Sequence, residues 1–412
     1  MTKVSKHIFS NGLTLVHSKT DDTRMAAVNT LYKVGSRNED SEHTGFAHLF
    51  EHLMFGGSVN IKDFDTPVLE AGGMNNAWTS PDITNYYINI PRKNLERALW
   101  LESDRMLSLD FSQRSLDVQR QVVTEEFKQR CLNMPYGDLY HIIRALAYKV
   151  HPYRWPTIGL DVSHIENATL AEVERFFDRF YTPSNAIIAV TGNMEFDYVC
   201  NLVDKWYGDI PARECAECII PAEPEQKEER RLIVERDVPS DMLFMAFHKP
   251  ERNHPDFVAL DMVTDILSNG RSSRLVRHLT KDERVFSDID ACVSGSVDPG
   301  LVQITGRPSP GVSMLDAEAS IWEEIDKLCS EEVGEQELEK VKNRFESSHV
   351  MGNMNHLSLA TNLCFYEMCG RAEDIDQEVG QYRAVTAADI MRVSRKYLVR
   401  DNCSVLHYMS SK

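Results

Sequence analysis

Two stretches of this 412-residue chain carry the same punctuation, TLAEVERFFDRFYTPSNAIIAVTG from Thr169 and TAADIMRVSRKYLVRDNCSVLHYMS from Thr386. In each, the Thr stands three residues before an acidic residue, the pattern of a capping box that opens a helix. An apolar-patterned helix follows and ends near a Tyr (Tyr181, Tyr397), displaced by one between the copies. A turn then leads to Asn185 or Asn402, 16 residues after the Thr in both, and into a β-rich run. A unit repeated at this scale points to two copies of one architecture.

The midpoint supports that division. Residues 211–239, PARECAECIIPAEPEQKEERRLIVERDVP, combine prolines with the charge run EPEQKEERR before a strand-like RLIVER. That composition reads as a linker entering a strand. The expected domains are 1–215 and 236–412, joined by a linker over 216–235. In the first half, strand-like runs (GLTLVHS, MAAVNTLYKVG, TNYYINIP, AIIAVTG) alternate with long helical patterns at 44–56, around 95–107 and over 116–147. The predicted fold is α+β: two homologous duplicated domains, each a mainly antiparallel sheet covered by helices on one face.

Composition removes several functions. With 45 Lys+Arg against 63 Asp+Glu the net charge is -18, so nucleic acid is not an expected partner. Hydrophobic residues are 42% and charged residues 26%, as in ordinary globular proteins. No run approaches about 18 consecutive apolar residues, so no membrane span is expected. The opening MTKVSKHIFSNGLTLV lacks the apolar core and cleavage site of a secretory signal. A cytoplasmic location is therefore expected, and nine scattered cysteines, an odd number, fit a reducing compartment. Cys215 and Cys218 have CxxC spacing, but no second pair stands at zinc-ribbon distance, so the pair reads as incidental.

The segment TGFAHLFEHLMFGG carries the chemistry. On a helix, His48 and His52 at i and i+4 lie one above the other, and Glu51 at i+3 shares the face. Two imidazoles can grip one divalent ion while the carboxylate reaches water held beside it; H-x-x-E-H inverts the zincin order. The rest of the segment (Phe46, Leu49, Phe50, Leu53, Met54, Phe55) is apolar, and burying three polar groups there without a ligand would be costly. A third ligand is offered by VQRQVVTEEFKQR, where spacing alone leaves Glu125 and Glu126 equally open.

Four segments in order, HLFEHLMFGGS, GGMNNAWTSPDITNYYINIP, QRQVVTEEFKQR and HPYRWPTIG, resemble the pitrilysin/insulinase-type zinc peptidases. The nearest likeness is to short bacterial two-domain subunits similar to the mitochondrial processing peptidase β subunit. The resemblance covers most of the first 160 residues, and LSNGRSSRLVRHL carries it more weakly into the second half. It implies one Zn2+ per chain, held by His48, His52 and Glu126, since the family pattern sets the ligand directly before an apolar residue, here Phe127. It implies Glu51 as the general base of a metalloendopeptidase. It also implies that an Asn-Ala pair, here Asn76 and Ala77, holds peptide substrate along a sheet edge. The family's second glutamate, seven residues before the ligand, is here Gln119, which can hydrogen-bond but carries no charge.

The second half departs from the family. Where the pattern places an Arg and a Tyr that clamp substrate, this chain has Thr280 (or Leu279, with a one-residue gap) and Phe286. Arg277 or Arg284 could replace the Arg; nothing local replaces the phenol. The expectation is therefore a zinc-bearing subunit in a heterodimer, whose homologous partner supplies Arg and Tyr. A homodimer that works without the clamp is the competing arrangement. The expected activity is cleavage of unfolded peptides in an enclosed chamber. The alternative is a non-catalytic assembly or binding subunit of a larger complex, and the intact H-x-x-E-H argues against it.

Overall fold

The structure is a computed structural model that describes residues 2–213 and 218–411. Cys215 lies outside them, so the CxxC pairing with Cys218 has no structural account. Two compact units form. The first takes Met1–Gln129, Trp155–Ile220 and His349–Gln377; the second takes Arg130–Arg154, Pro221–Ser348 and Glu378–Lys412.

In the first unit, six strands, β1 (Val4–Ile8), β2 (Thr14–Lys19), β3 (Met25–Tyr32), β4 (Met74–Thr79), β5 (Thr84–Pro91) and β6 (Ala186–Gly192), make one sheet. Its order is β1-β2-β6-β3-β5-β4, antiparallel except where β2 meets β6. The second unit repeats this with β7 (Arg230–Arg236), β8 (Met242–His248), β9 (Phe286–Val293), β10 (Leu301–Pro308) and β11 (Cys403–Ser410). The order β7-β11-β8-β10-β9 again has one parallel pair, β7 with β11. Position for position this is the first sheet without β1.

Matching ends explain the repeated sequence. The helices Leu170–Phe180 and Ala387–Tyr397 both open on the expected capping boxes, Thr169 with Glu172 and Thr386 with Asp389. Asn185 Nδ2 donates to Phe180 O, and Asn402 Nδ2 donates to Tyr397 O, five residues back in each copy. Each Asn also bonds the backbone at the end of a neighbouring strand, Lys33 O after β3 and His248 O in β8. The displaced Tyr is thereby explained, because Tyr397 is the counterpart of Phe180, not of Tyr181.

Coverage by helices goes further than expected. The central strands are buried on both faces. Leu15, Val28, Ile188 and Val190 join one core, while Val16, Ala27, Leu31, Ile187 and Ala189 pack on the opposite side with Leu359, Ala360 and Leu363 of the helix His356–Cys369. In the second unit Leu243, Met245 and Phe247 face one core, while Phe244, Ala246 and Leu406 meet Leu139, Ile143 and Ala147 of the helix Leu139–Ala147. Successive strand side chains alternate faces, so a strand apolar at every position needs a cover on each side. Two segments therefore cross the division expected at 216–235: residues 130–154 are built into the second unit and 349–377 into the first. β7 also starts within that span. Among the described residues, no helix is long and apolar enough to cross a membrane.

Candidate metal centre

The helix Phe46–Leu53 starts abruptly. Gly45 caps it at φ 86, and a Cβ there would lie 2.9 Å from Ile158 O, so only glycine fits. The first free amides are taken by one buried carboxylate: Glu39 Oε2 accepts from Gly45 N–H at 3.0 Å and Oε1 from Ala47 N–H at 2.8 Å. Burial pushes this carboxyl up to about 8, against the pull of those backbone donors. Upstream, the Thr44 hydroxyl accepts from Leu160 N–H at 2.7 Å and lies 2.8 Å from His164 Nδ1. Helix starts held this way fix the side chains of the next turn.

From that start, Phe46, Leu49, Phe50 and Leu53 go into the core, which leaves His48, Glu51 and His52 together on the remaining face. His48 is buried; Glu51 and His52 are half-buried. The two imidazoles stand with centroids 4.9 Å apart and planes at 89°.

The third donor comes from the helix Gln113–Phe127, capped by Ser112, whose hydroxyl accepts from Ser115 N–H. Leu116 and Val123 anchor it in the core. Glu126 then turns toward the histidines: its Oε2 is 3.7 Å from His48 Nε2 and 3.4 Å from His52 Nε2. Glu125, its neighbour, is exposed and pairs with Lys128 at 3.1 Å. A π-helical turn, Lys128–Leu132, follows at once. Gln119 is half-buried two turns before Glu126, its Nε2 3.8 Å from where a Cβ on Gly56 would sit.

Among the described residues, His48, His52 and Glu126 are the place where three metal-ligating groups converge, all three ligand atoms lying within 4.8 Å of one another. Ligands about 2.0–2.1 Å from a tetrahedral zinc ion stand roughly 3.4 Å apart. The observed 3.4 and 3.7 Å, with a two-imidazole, one-carboxylate donor set, fit zinc with a fourth position left over for water or substrate.

Glu51 is not one of those donors. Its Oε2 accepts a hydrogen bond from Thr79 Oγ1 at 2.6 Å. Thr79 ends β4, the outer strand of its sheet, bonded on one side to β5. Along β4, Asn75, Ala77 and Thr79 are half-buried while Met74, Asn76 and Trp78 are exposed, and Ala77 packs on the core. Asn76 Oδ1 accepts the N–H of Ala77 at 2.8 Å. Sequence reasoning missed both Thr79 and Glu39. Strand alternation in NAWT could have found Thr79, two residues beyond Ala77 and hence on its face; Glu39 left no local signal.

In the second unit Thr280 lies in the π-helical stretch Leu275–Asp282, and Phe286 opens β9 as a core residue under Gly306. Arg277 is exposed, and Arg284 has φ 58. Neither position expected for the Arg/Tyr clamp therefore carries such a donor.

Residues 15–153 match the family described as Insulinase (Peptidase family M16), and residues 167–345 match the Peptidase M16 inactive domain. Zinc protease PqqE of Helicobacter pylori (strain ATCC 700392 / 26695) is 31% identical over 395 residues, 94% of this chain and 88% of that protein. The crystal structure of a protease from Helicobacter pylori superposes with a TM-score of 0.94 at 29% identity, covering 99% of this chain and 100% of that one. A peptidase M16 inactive domain from Pseudomonas fluorescens shares the fold at a TM-score of 0.90 and 16% identity, over 100% and 98% of the two chains. With its converged His48, His52 and Glu126 set on this fold, the chain belongs to the insulinase-type peptidase family M16.

Proposed function

We propose that this chain is a zinc-dependent endopeptidase subunit that cleaves unfolded peptides. The observation that carries the reading is the convergence of His48, His52 and Glu126, with Glu51 on the same helical face and outside the donor set. When bound there, zinc would supply a Lewis acid that acidifies water and polarises a carbonyl oxygen. Glu51 accepts the proton of the attacking water and returns it to the leaving amine as the peptide bond breaks. The outer edge of β4 offers backbone N–H and C=O groups on which an extended peptide can add as a strand beside Asn76 and Ala77. Glu51 at i+3 shares the helical face of the two imidazoles, and Thr79 Oγ1 donates to its Oε2 at 2.6 Å.

The second unit bears on how the subunit works. With Thr280 and buried Phe286 at the clamp positions, a homologous partner supplying Arg and Tyr completes the site, and an enclosed chamber formed by the pair admits only unfolded substrate. The test is cleavage of a quenched fluorescent peptide by the zinc-loaded chain beside Glu51→Gln. Turnover in the wild type and none in the variant, with zinc bound by both, supports the peptidase. Zinc in both and turnover in neither, restored by a homologous subunit carrying the Arg and Tyr, supports the heterodimer. Substantial turnover by Glu51→Gln refutes the assignment of the base.

A further inference from the structure

A glutamate general base has three side-chain torsions to fix, and a base is useful only when held within about 0.5 Å of its working position. On the helix Phe46–Leu53 the backbone of Glu51 is well anchored, but its carboxylate reaches off a half-buried face. The hydrogen bond from Thr79 Oγ1 to its Oε2, at 2.6 Å, comes from outside that helix.

Thr79 is a rigid donor. Its backbone pairs opposite Thr84 in the β4–β5 ladder. The turn beyond is locked: Ser80 N–H donates to Ile83 O at 2.8 Å, and Ser80 Oγ accepts from Asp82 and Ile83 N–H at 3.1 Å each. Across the ladder, Thr84 Oγ1 donates to Val34 O in the buried interior at 2.9 Å. A β-branched side chain on such a strand has few χ1 options. The donor is also neutral. Its hydroxyl orients one carboxylate oxygen without adding a second charge beside it.

We propose that Thr79 is the positioning residue for the Glu51 base, and that it ties the base to the strand on which the peptide lies. This rests on the peptidase reading above. Thr79 stands three residues after Asn76, roughly 10 Å along β4, so a peptide bound in register beside Asn76 and Ala77 is placed relative to Glu51 by the same strand that holds Glu51. Binding register and base geometry thus share one rigid element.

The experiment compares Thr79→Val, which keeps shape and removes the hydroxyl, with Thr79→Ser, which restores it, in whichever assembly cleaves the fluorescent peptide. The expected result for Thr79→Val is a 10- to 100-fold loss of kcat, the order expected for a misplaced reacting group. KM should stay within about threefold and zinc content should be unchanged; Thr79→Ser should recover most of kcat. A Thr79→Val kcat within twofold of wild type overturns the proposal, as does a Thr79→Ser variant as slow as Thr79→Val. A second arm reads the contact without turnover: thermal melting of the zinc-free chain as Thr79→Val, Glu51→Ala and the double variant. Non-additive shifts show that Thr79 holds Glu51; additive shifts overturn the proposal. A wild type that cleaves no peptide, alone or with a partner, removes the peptidase reading, and the melting arm still decides whether Thr79 holds Glu51.

Discussion

The choice between adjacent glutamates gives a sharp prediction. Glu126→Gln keeps the volume and removes the anionic oxygen that lies 3.4 Å from His52 Nε2 and 3.7 Å from His48 Nε2. Loss of an outer hydrogen-bonding partner of a metal ligand weakens binding by about 10–100-fold, so loss of one of three direct donors should weaken zinc binding by 100-fold or more. That is about 2.8 kcal/mol. Because zinc binding to the folded chain stabilises it by mass action, the same loss appears as a smaller zinc-induced rise in melting temperature. For a unit of this size, about 2–4 °C per kcal/mol makes the deficit roughly 6–11 °C. Glu125→Gln is the control. Glu125 is exposed and pairs across one turn with Lys128, a contact worth about 0.3–0.5 kcal/mol, and its loss should leave zinc affinity within about twofold. A chromogenic chelator in competition gives the affinities, and melting with and without zinc gives the linked shift. Wild-type affinity in Glu126→Gln, or an equal loss in Glu125→Gln, would refute the ligand geometry.

Three further outcomes follow from the second unit. Phe286 is buried in the core beneath Gly306, so Phe286→Tyr buries a hydroxyl and should cost about 1–3 kcal/mol; denaturant melts check this, and a gain in peptide turnover would contradict it. The Asn402 side chain donates to Tyr397 O at 2.8 Å and His248 O at 2.9 Å, so Asn402→Ala should cost a similar amount through unpaired carbonyls, with Asn185→Ala milder because its second bond is 3.5 Å. Burial raises the Glu318 carboxyl, but hydrogen bonds from Arg231 and His407 outweigh it and bring it down to about 2. A depressed carboxyl contributes stability above its unfolded value and loses it as pH falls toward 2. The nominal 3 kcal/mol or so shrinks to about 1–2 kcal/mol because the paired Arg231 is 34% exposed. Glu318→Gln should remove that share of the fall in stability between about pH 4.5 and pH 2, read from urea melts across that range.

Much of the fold was legible because its signals are local. Both capping boxes formed, and the Asn at a fixed distance from each became a hydrogen-bonded link to the end of the preceding helix. The helical pattern around 95–107 became the helix Leu95–Leu107. The long pattern over 116–147 broke into Gln113–Phe127, a π-helical turn and Leu139–Ala147. The break had a local cause in MPYGD: Tyr136 sits at φ 63, and a Cβ on Gly137 would meet Arg130 O at 2.5 Å. What sequence could not show is which sheet a helix covers. Periodicity identifies an apolar face and not its partner, so Leu139–Ala147 read as part of the first half although it covers the second unit's sheet. The His48/His52 spacing was visible at i and i+4, whereas Thr79 and Glu39 act on that helix through tertiary contacts.

The duplication also bears on why one unit carries the donor cluster. The helix Phe257–Ser268 follows β8 as Phe46–Leu53 follows β3, and a His stands three residues before the first Phe in both, His254 and His43. Counting from those Phe residues, His48, Glu51 and His52 correspond to Ala259, Met262 and Val263, all buried in the second core. Three polar side chains on a core-facing helix lower stability unless something binds them; three apolar ones there raise it through burial, by about 1.5–3 kcal/mol for a full-sized side chain. In the second unit Ala259, Met262 and Val263 accordingly close the core at those positions. The first unit instead carries polar groups there and surrounds them with support: Glu39 at the start of the helix, Thr79 on Glu51, and core-anchored Val123 one turn before Glu126. Polar groups supported in this way suit a ligand-binding site, since without a ligand their burial lowers stability, whereas Ala259, Met262 and Val263 in the second core carry no such cost.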